Sequence, residues 1–180
     1  MTNKTRITGT STSSRLVNHL RIALLAAWFA VALYFSAVVA PSAFSALRSF
    51  GLTNAGEIAG TIVTRTLAVV NISGLTVGLL LLLSAVLVKK YYGRASFIAH
   101  TALIVVVAIS TALGEWVIAA KMRGLRAAMQ GHIDLVPLSD PNRIAFASLH
   151  VYSVSALSVA MMAALVALVL MIFSRGERRV

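Results

Sequence analysis

Four long runs without Asp, Glu, Lys or Arg divide the chain, over residues 22–47, 66–88, 95–114 and 144–173. Each run reaches the roughly 20 residues that a helix needs to cross a hydrocarbon core about 30 Å thick. A backbone in lipid must satisfy its own hydrogen bonds, and the residue-by-residue alternation of a membrane β-barrel is missing. The pattern therefore predicts an all-α, polytopic membrane protein with four transmembrane helices in an up-down bundle.

Polar residues between the runs set the predicted boundaries. A single transmembrane domain is expected over residues 20–174, with helices at about 20–47, 55–89, 94–130 and 141–174. Residues 1–19, rich in Ser and Thr, are predicted to form a disordered cytoplasmic tail, and residues 175–180 a second short one.

Three local signals mark predicted helix ends. Asn54 with Glu57 three residues later resembles a capping box at the start of the second helix. Gly131 is expected to stop the third helix, and Asp140 to cap the fourth.

The composition excludes an ordinary soluble enzyme, since 59% of the 180 residues are hydrophobic and only 12% are charged. The absence of cysteine excludes disulfides and iron–sulfur clusters. The chain also lacks a glycine-rich phosphate loop, a nucleophile elbow and an H-E-x-x-H motif. We therefore expect a protein that is not an enzyme and holds no cofactor.

A net charge of +11 in isolation suggests nucleic-acid binding, but the positions of the charges point elsewhere. Ten of the 16 Lys and Arg residues lie in the two termini and in the turn after the second run, which share one face of a four-helix protein. The positive-inside rule then predicts that both termini are cytoplasmic, in the inner (plasma) membrane. Anionic lipids at that face are the expected partners, and nucleic acid is not.

Three ionisable residues lie near the outer end of the helices at matching depth: Arg65, Glu115 and His150. Arg65 and Glu115 fall on consecutive antiparallel helices, which predicts an ion pair. Two interpretations stay open. One is an outward-facing polar site for a cation, a proton or a small solute; the other is an interfacial ion pair with a wetted histidine that fixes helix register.

The second helix carries a stripe of small residues that includes Gly56, Gly60, Gly74 and Gly78. Such a stripe predicts close helix packing, either as the central seam of the bundle or in a homo-oligomer. Asn71 lies in the same stripe. We expect it to form a hydrogen bond with Ser or Thr side chains of the third or fourth helix: Ser110, Thr111, Ser155 or Ser158.

The histidines give weaker signals. His100 is expected near the cytoplasmic face, about 28 Å along the helices from His150, so the two cannot hold one haem between them. A packing histidine is favoured for His100, with haem ligation by a single histidine, or by His19 paired with His100 on the inner side, as the alternatives. His132 and Asp134 form an isolated His-x-Asp, which is only a weak candidate for a metal site.

Short motifs in three regions carry a family resemblance. The first helix and its exit contain Pro41 and Phe44, the third span ends with Trp116 and Lys121, and the fourth opens with Phe146, His150 and Ser153. Over about residues 20–173 the chain resembles the transmembrane protein 205-like family, a four-helix membrane domain. The resemblance implies that fold and supplies no reaction.

Three functional hypotheses follow. The first is a structural or accessory membrane protein that acts through helix packing or contact with a membrane partner. The alternative is transport or handling of a small solute or metal ion through the outward-facing polar site. A haem-binding membrane redox protein is the third.

Overall fold

The computed structural model describes residues 8–89, 92–129 and 131–173, with side chains from residue 15 onward. These residues form helices and contain no β-strand. Two π-helical segments, Phe35–Val39 and Leu113–Ala119, each join two α-helices into a longer one. The α-helices, in chain order, are α1 (Thr8–Tyr34), α2 (Ala40–Ser49), α3 (Ala55–Leu83), α4 (Ala85–Val88), α5 (Arg94–Ala112), α6 (Ala120–Ala128) and α7 (Pro141–Phe173).

Four helices in the described part of the chain are long and apolar enough to cross a membrane, as predicted. The first span runs through α1, the first π segment and α2; the third runs through α5, the second π segment and α6. The second and fourth spans are α3 and α7. The four spans, in chain order, cover Arg15–Ser49, Ala55–Leu83, Arg94–Ala128 and Pro141–Phe173.

Each span packs against two others. Helix α5 lies against α3 and α7, and α1 also lies against both α3 and α7. Trp28 is buried in this core, and its indole N–H donates to the Val70 carbonyl at 3.0 Å, so the polar atom of a large core residue is satisfied. Helix α7 contributes the fully buried Ala160, Ala164 and Ala167, whose small side chains allow close helix approach.

Several helix ends differ from the predicted boundaries. Helix α1 begins at Thr8, so residues 8–19 are helical where a disordered tail was expected. The buried Asn18 and Arg21 bind this segment to the other helices, and such packing outweighs the modest helix propensity of Ser and Thr. The second helix ends at Leu83 instead of residue 89. Residues 1–7 and the predicted tail at 175–180 lie outside the described residues.

The start of α3 corrects the capping-box prediction. Asn54 precedes α3 but its side chain makes no capping hydrogen bond. The carboxylate of Asp134, far away in sequence, instead accepts the Glu57 N–H at 3.0 Å. At α7 the prediction is confirmed, because Asp140 accepts the N–H groups of the second and third helical residues at 2.8 and 3.2 Å.

The first π segment has a direct cause in the sequence. Pro41 has no N–H, and its ring would clash with the carbonyl four residues earlier in a regular α-helix. The π segment widens the turn just before it, and the Ala40 N–H bonds to the Phe35 carbonyl five residues back. The span therefore continues past the proline to Ser49.

Candidate functional site

A cavity of about 1200 Å³ lies at one end of the helices. We call this end distal; it holds the connections at 50–54 and 129–140, opposite the turn between α4 and α5. The cavity, called the distal cavity below, is partly open and combines apolar with charged walls. Its lining includes Phe44, Arg48, Glu57, Gly60, Val63, Arg65, Leu67, Glu115, Arg123, Arg126, Asp134, Arg143, Phe146, His150 and Ser153.

The structure brings the three predicted ionisable residues to this one cavity. Arg65 comes from α3, Glu115 from the second π segment and His150 from α7, so each belongs to a different span. Arg65 and His150 are exposed, whereas Glu115 is only 8% exposed. Matching depth on three helices was therefore a sound guide to a shared site.

The predicted ion pair between Arg65 and Glu115 is wrong. Glu115 pairs with Arg123, with Nη1 and Oε1 3.1 Å apart, and the described residues show no ion pair of Arg65. Eight positions separate Glu115 from Arg123, which is more than the roughly 7.2 residues of two α-helical turns. The π segment takes up the extra residue and brings the two side chains onto one face.

Two carboxylates, Glu57 and Asp134, connect α6 and the loop after it to the start of α3. Arg126 pairs with Glu57, and the Ile133 N–H also donates to Glu57 at 3.2 Å. In return, Asp134 accepts the Glu57 N–H. These contacts form one wall of the distal cavity.

The arginines of the wall outnumber its carboxylates, five to three. All three carboxylates are engaged, since Glu57 and Glu115 are in ion pairs and Asp134 caps α3. Among the described residues, no ion pair involves the remaining three arginines: Arg48, Arg65 and Arg143. The cavity wall is therefore positively charged.

The glycine stripe of α3 divides into two parts. A methyl group on Gly74 would lie 2.7 Å from the Thr111 side chain and 2.8 Å from the Trp28 ring, and one on Gly78 would lie 3.0 Å from Ala108. These two glycines allow close packing of spans within the chain. Gly60 corrects the packing prediction, because nothing lies within 4 Å of a methyl group there and the position faces the cavity. Gly56 lies against Asp134 of the loop.

Asn71 lies deeper than the cavity and is buried. Its amide packs against Gly114, where a methyl group would be 3.2 Å from Nδ2. The predicted hydrogen-bond partner Thr111 donates its hydroxyl within its own helix, to the carbonyls of Val107 and Ala108 at 2.9 and 3.1 Å. Gly114 thus lets the Asn71 side chain fit between α3 and the second π segment.

The residues of the family motifs have two different placements. Phe44, Phe146, His150 and the buried Ser153 line the distal cavity. Pro41 lies in the first turn of α2, while Trp116, 56% exposed, and Lys121 lie on the outer surface. The motifs therefore meet at the cavity from two distant parts of the sequence.

The weak metal candidates do not form a metal site with a third ligand. His132 is exposed, and the Asp134 carboxylate is used at the start of α3. The described residues contain no group of three or more His, Asp or Glu side chains placed to hold one ion.

A second polar cluster was not predicted. It lies at the end of the helices opposite the distal cavity, which we call the proximal end. It comprises Asn18, Arg21, Ser84, Tyr92 and His100, of which all but Ser84 are buried. Arg21 donates to the Leu81 carbonyl and the Ser84 hydroxyl, and Tyr92 donates to Asn18 at 2.6 Å. Two features of the sequence could have indicated this cluster. Ser84 is a hydroxyl residue inside an apolar run, and Asn18 and Arg21 are three residues apart on α1.

His100 is held from several sides in this proximal cluster. Its Nδ1 lies 3.1 Å from the Ser96 carbonyl, so that nitrogen carries the hydrogen and donates. Its Nε2 lies 3.5 Å from Arg21. The ring packs on Tyr92 at 4.7 Å and edge-on against Phe97 at 5.4 Å between ring centres. The expected packing role fits these contacts.

Comparison with known proteins supplies a family. The model of a family described as a domain of unknown function (DUF4149) matches residues 23–131. No curated protein and no solved structure matches the chain. The match covers more than half of the chain, including most of the first span, the second and third spans, and Glu57, Arg65 and Glu115 of the distal cavity. The chain therefore belongs to the DUF4149 family, an uncharacterised domain that is built here on helices able to span a membrane.

Proposed function

We propose that this chain is a membrane protein that binds and handles a small solute in the distal cavity. The observation that carries the proposal is the meeting of Arg65, Glu115 and His150, from three different spans, around one cavity of about 1200 Å³. Ligand sites in proteins are concave, mostly apolar and furnished with a few polar groups, and many of them form between helices. The distal cavity has this character.

The structural or accessory hypothesis receives less support from the geometry. It rested on the glycine stripe as a contact surface for a partner. Gly74 and Gly78 pack against Trp28, Thr111 and Ala108 of the same chain, so they are not free to pack against another protein. Gly60 faces the cavity, where it adds room for a ligand.

The proposed activity is binding without a chemical step. A carboxylate that acts as a general base must be free to take a proton. The carboxylates of the cavity are held by Arg123, Arg126 and a backbone N–H. The haem alternative has less support too, because the buried His100 directs its nitrogens to Ser96 and Arg21.

The finer identity and location are also part of the proposal. The resemblance to the transmembrane protein 205-like family is supported by the placement of Phe44, Phe146, His150 and Ser153 in the cavity wall. The excess of Lys and Arg at the termini favours an inner-membrane protein with both ends in the cytoplasm. The distal cavity would then face outward.

A pair of matched glycine variants tests solute binding. Gly60→Phe places a ring into the cavity, whereas Gly124→Phe places the same ring into open space on α6, outside the cavity lining. The readout is native mass spectrometry of the full chain purified in mild detergent, which resolves small molecules that stay bound. We expect the wild type and Gly124→Phe to carry the same bound species and Gly60→Phe to lose it. Equal occupancy in all three proteins, or none in the wild type, would contradict the proposal.

A further inference from the structure

We infer that the ligand of the distal cavity carries an oxyanion of the phosphate type and that Arg65 is its main charged contact, an inference that rests on the proposed function and adds the ligand's chemical class. Five arginines and three carboxylates line the cavity. The question for any ligand is which of these charges remain free.

The carboxylates are not free. Glu115 lies 3.1 Å from Arg123, and Glu57 is paired with Arg126. Asp134 accepts a backbone N–H at the positive end of α3, where a carboxylate is stabilised. A cation or metal ion that entered the cavity would have to displace one of these contacts.

Three arginines keep donors for a ligand. Arg143 donates to the Val136 carbonyl, and Arg48 lies 6.0 Å from the centre of the Phe44 ring. Arg65 makes neither an ion pair nor a hydrogen bond from its side chain to any described residue. A guanidinium has five N–H donors, so single contacts of this kind leave most of its capacity unused.

A buried arginine nitrogen in the cavity wall also favours an anionic ligand. Nη1 of Arg126 is shielded from solvent and has no hydrogen-bond partner in the described structure. A buried charged donor without a partner is costly, and an acceptor brought in by a ligand relieves that cost. Phosphate oxygens match the planar fork of arginine, which is why arginine is common at phosphate sites.

The apolar wall suggests what the anion is attached to. Val63 and Leu67 of α3 and Phe146 of α7 also line the cavity and form an apolar surface for a hydrocarbon chain. Two sources supply the required phosphate group: the headgroup of an anionic lipid and a soluble phosphate. The binding experiment distinguishes them.

The test measures the affinity of the full chain in neutral detergent for three probes, by isothermal titration calorimetry. The probes are inorganic phosphate, short-chain phosphatidylglycerol and short-chain diacylglycerol, which has the same acyl chains and no phosphate. Arg65→Gln removes the free guanidinium, and the control Arg94→Gln removes an exposed one at the proximal end. We expect phosphate or phosphatidylglycerol to bind more tightly than diacylglycerol, and Arg65→Gln to weaken that binding about tenfold while Arg94→Gln does not.

Each outcome has a distinct meaning. Binding of inorganic phosphate indicates a soluble anion, and binding of phosphatidylglycerol alone indicates a lipid headgroup. Equal affinity for phosphatidylglycerol and diacylglycerol, an unchanged affinity in Arg65→Gln, or no binding of any probe overturns the oxyanion inference. If in those cases Gly60→Phe still removes the species bound to the wild type, solute binding stands with an uncharged or cationic ligand. If Gly60→Phe removes nothing, the proposed function fails as well.

Discussion

Two glycines on the same helix have opposite surroundings, although the sequence presents them alike. Gly74 lies where two other spans approach α3 closely, and both Thr111 and the Trp28 ring lie near the position that a methyl group would take. Gly60, on the part of α3 that lines the distal cavity, has no neighbour within 4 Å of the position that a methyl group would take. The spacing of the small residues places them on one face of α3. It does not show which part of that face packs against another helix and which part lines a cavity.

Alanine substitutions at these two glycines should therefore change the free energy of unfolding in opposite directions. Gly74→Ala forces a methyl group against the Thr111 side chain and the Trp28 ring and should lower the free energy of unfolding by about 1 to 3 kcal/mol. Gly60→Ala gains helix propensity without a clash and should raise it by up to about 1 kcal/mol. Unfolding by sodium dodecyl sulfate from detergent micelles, followed by circular dichroism, measures both. A Gly74→Ala variant as stable as Gly60→Ala would show that the close approach described here is absent.

At the scale of elements, α3 is held at both ends by side chains distant in sequence. Asp134 caps its start, and Arg21 binds the Leu81 carbonyl at its end. The end of α3 at Ser84 leaves carbonyl groups without a hydrogen-bond donor in the helix. The partial negative charge of a helix C-terminus stabilises a buried guanidinium there. Arg21 thus needs no carboxylate, and none of the described carboxylates pairs with it.

The cap at the start of α3 predicts an asymmetry between two residues. Asp134→Ala removes the acceptor of the Glu57 N–H and should destabilise the protein by about 1 kcal/mol. Asn54→Ala, at the position that the sequence favoured as the cap, should change stability by less than about 0.5 kcal/mol. The same unfolding assay measures both variants. A larger loss of stability for Asn54→Ala than for Asp134→Ala would indicate that Asn54 caps α3.

The other end of α3 gives a further prediction. Arg21→Ala leaves the Leu81 carbonyl and the Ser84 hydroxyl without their donor and should cost about 1 to 3 kcal/mol. Arg15→Ala, an exposed arginine on the same helix, serves as the control and should cost less than about 0.5 kcal/mol. If both variants unfold alike, the buried contacts of Arg21 do not stabilise the fold.

The apolar runs predicted the four spans because the length of an uncharged segment is a local property. The π segments, the cap from Asp134 and the pairing of Glu115 with Arg123 were not predicted, since each depends on residues brought together by the fold. Pro41 was a local signal that its helix had to deviate, and no comparable residue marks the second π segment. Arg65, Glu115 and His150 lie at one end of the helices, as their predicted depth indicated, but the predicted partner of Glu115 was wrong.

At the scale of the whole molecule, the charged side chains of the described residues are divided between the two ends of the helices. The proximal cluster is closely packed around Arg21 and His100 and connects α1 to α3 and α5. The distal end is open, contains the large cavity and carries more arginines than carboxylates. Close packing at one end and an accessible charged cavity at the other are compatible with the proposed binding of a solute from one side of a membrane.

The most direct test of this account uses the natural absence of cysteine in the chain. Gly60→Cys places a thiol in the distal cavity, and its reaction with sulfonate-bearing and trimethylammonium-bearing methanethiosulfonates can be timed, each rate being divided by that of the same reagent with a free thiol. We expect the cysteine to react, the anionic reagent to be favoured by roughly an order of magnitude, and the addition of Arg65→Gln to reduce this preference. An unreactive cysteine, or a preference for the cationic reagent, would contradict a solvent-connected, positively charged cavity.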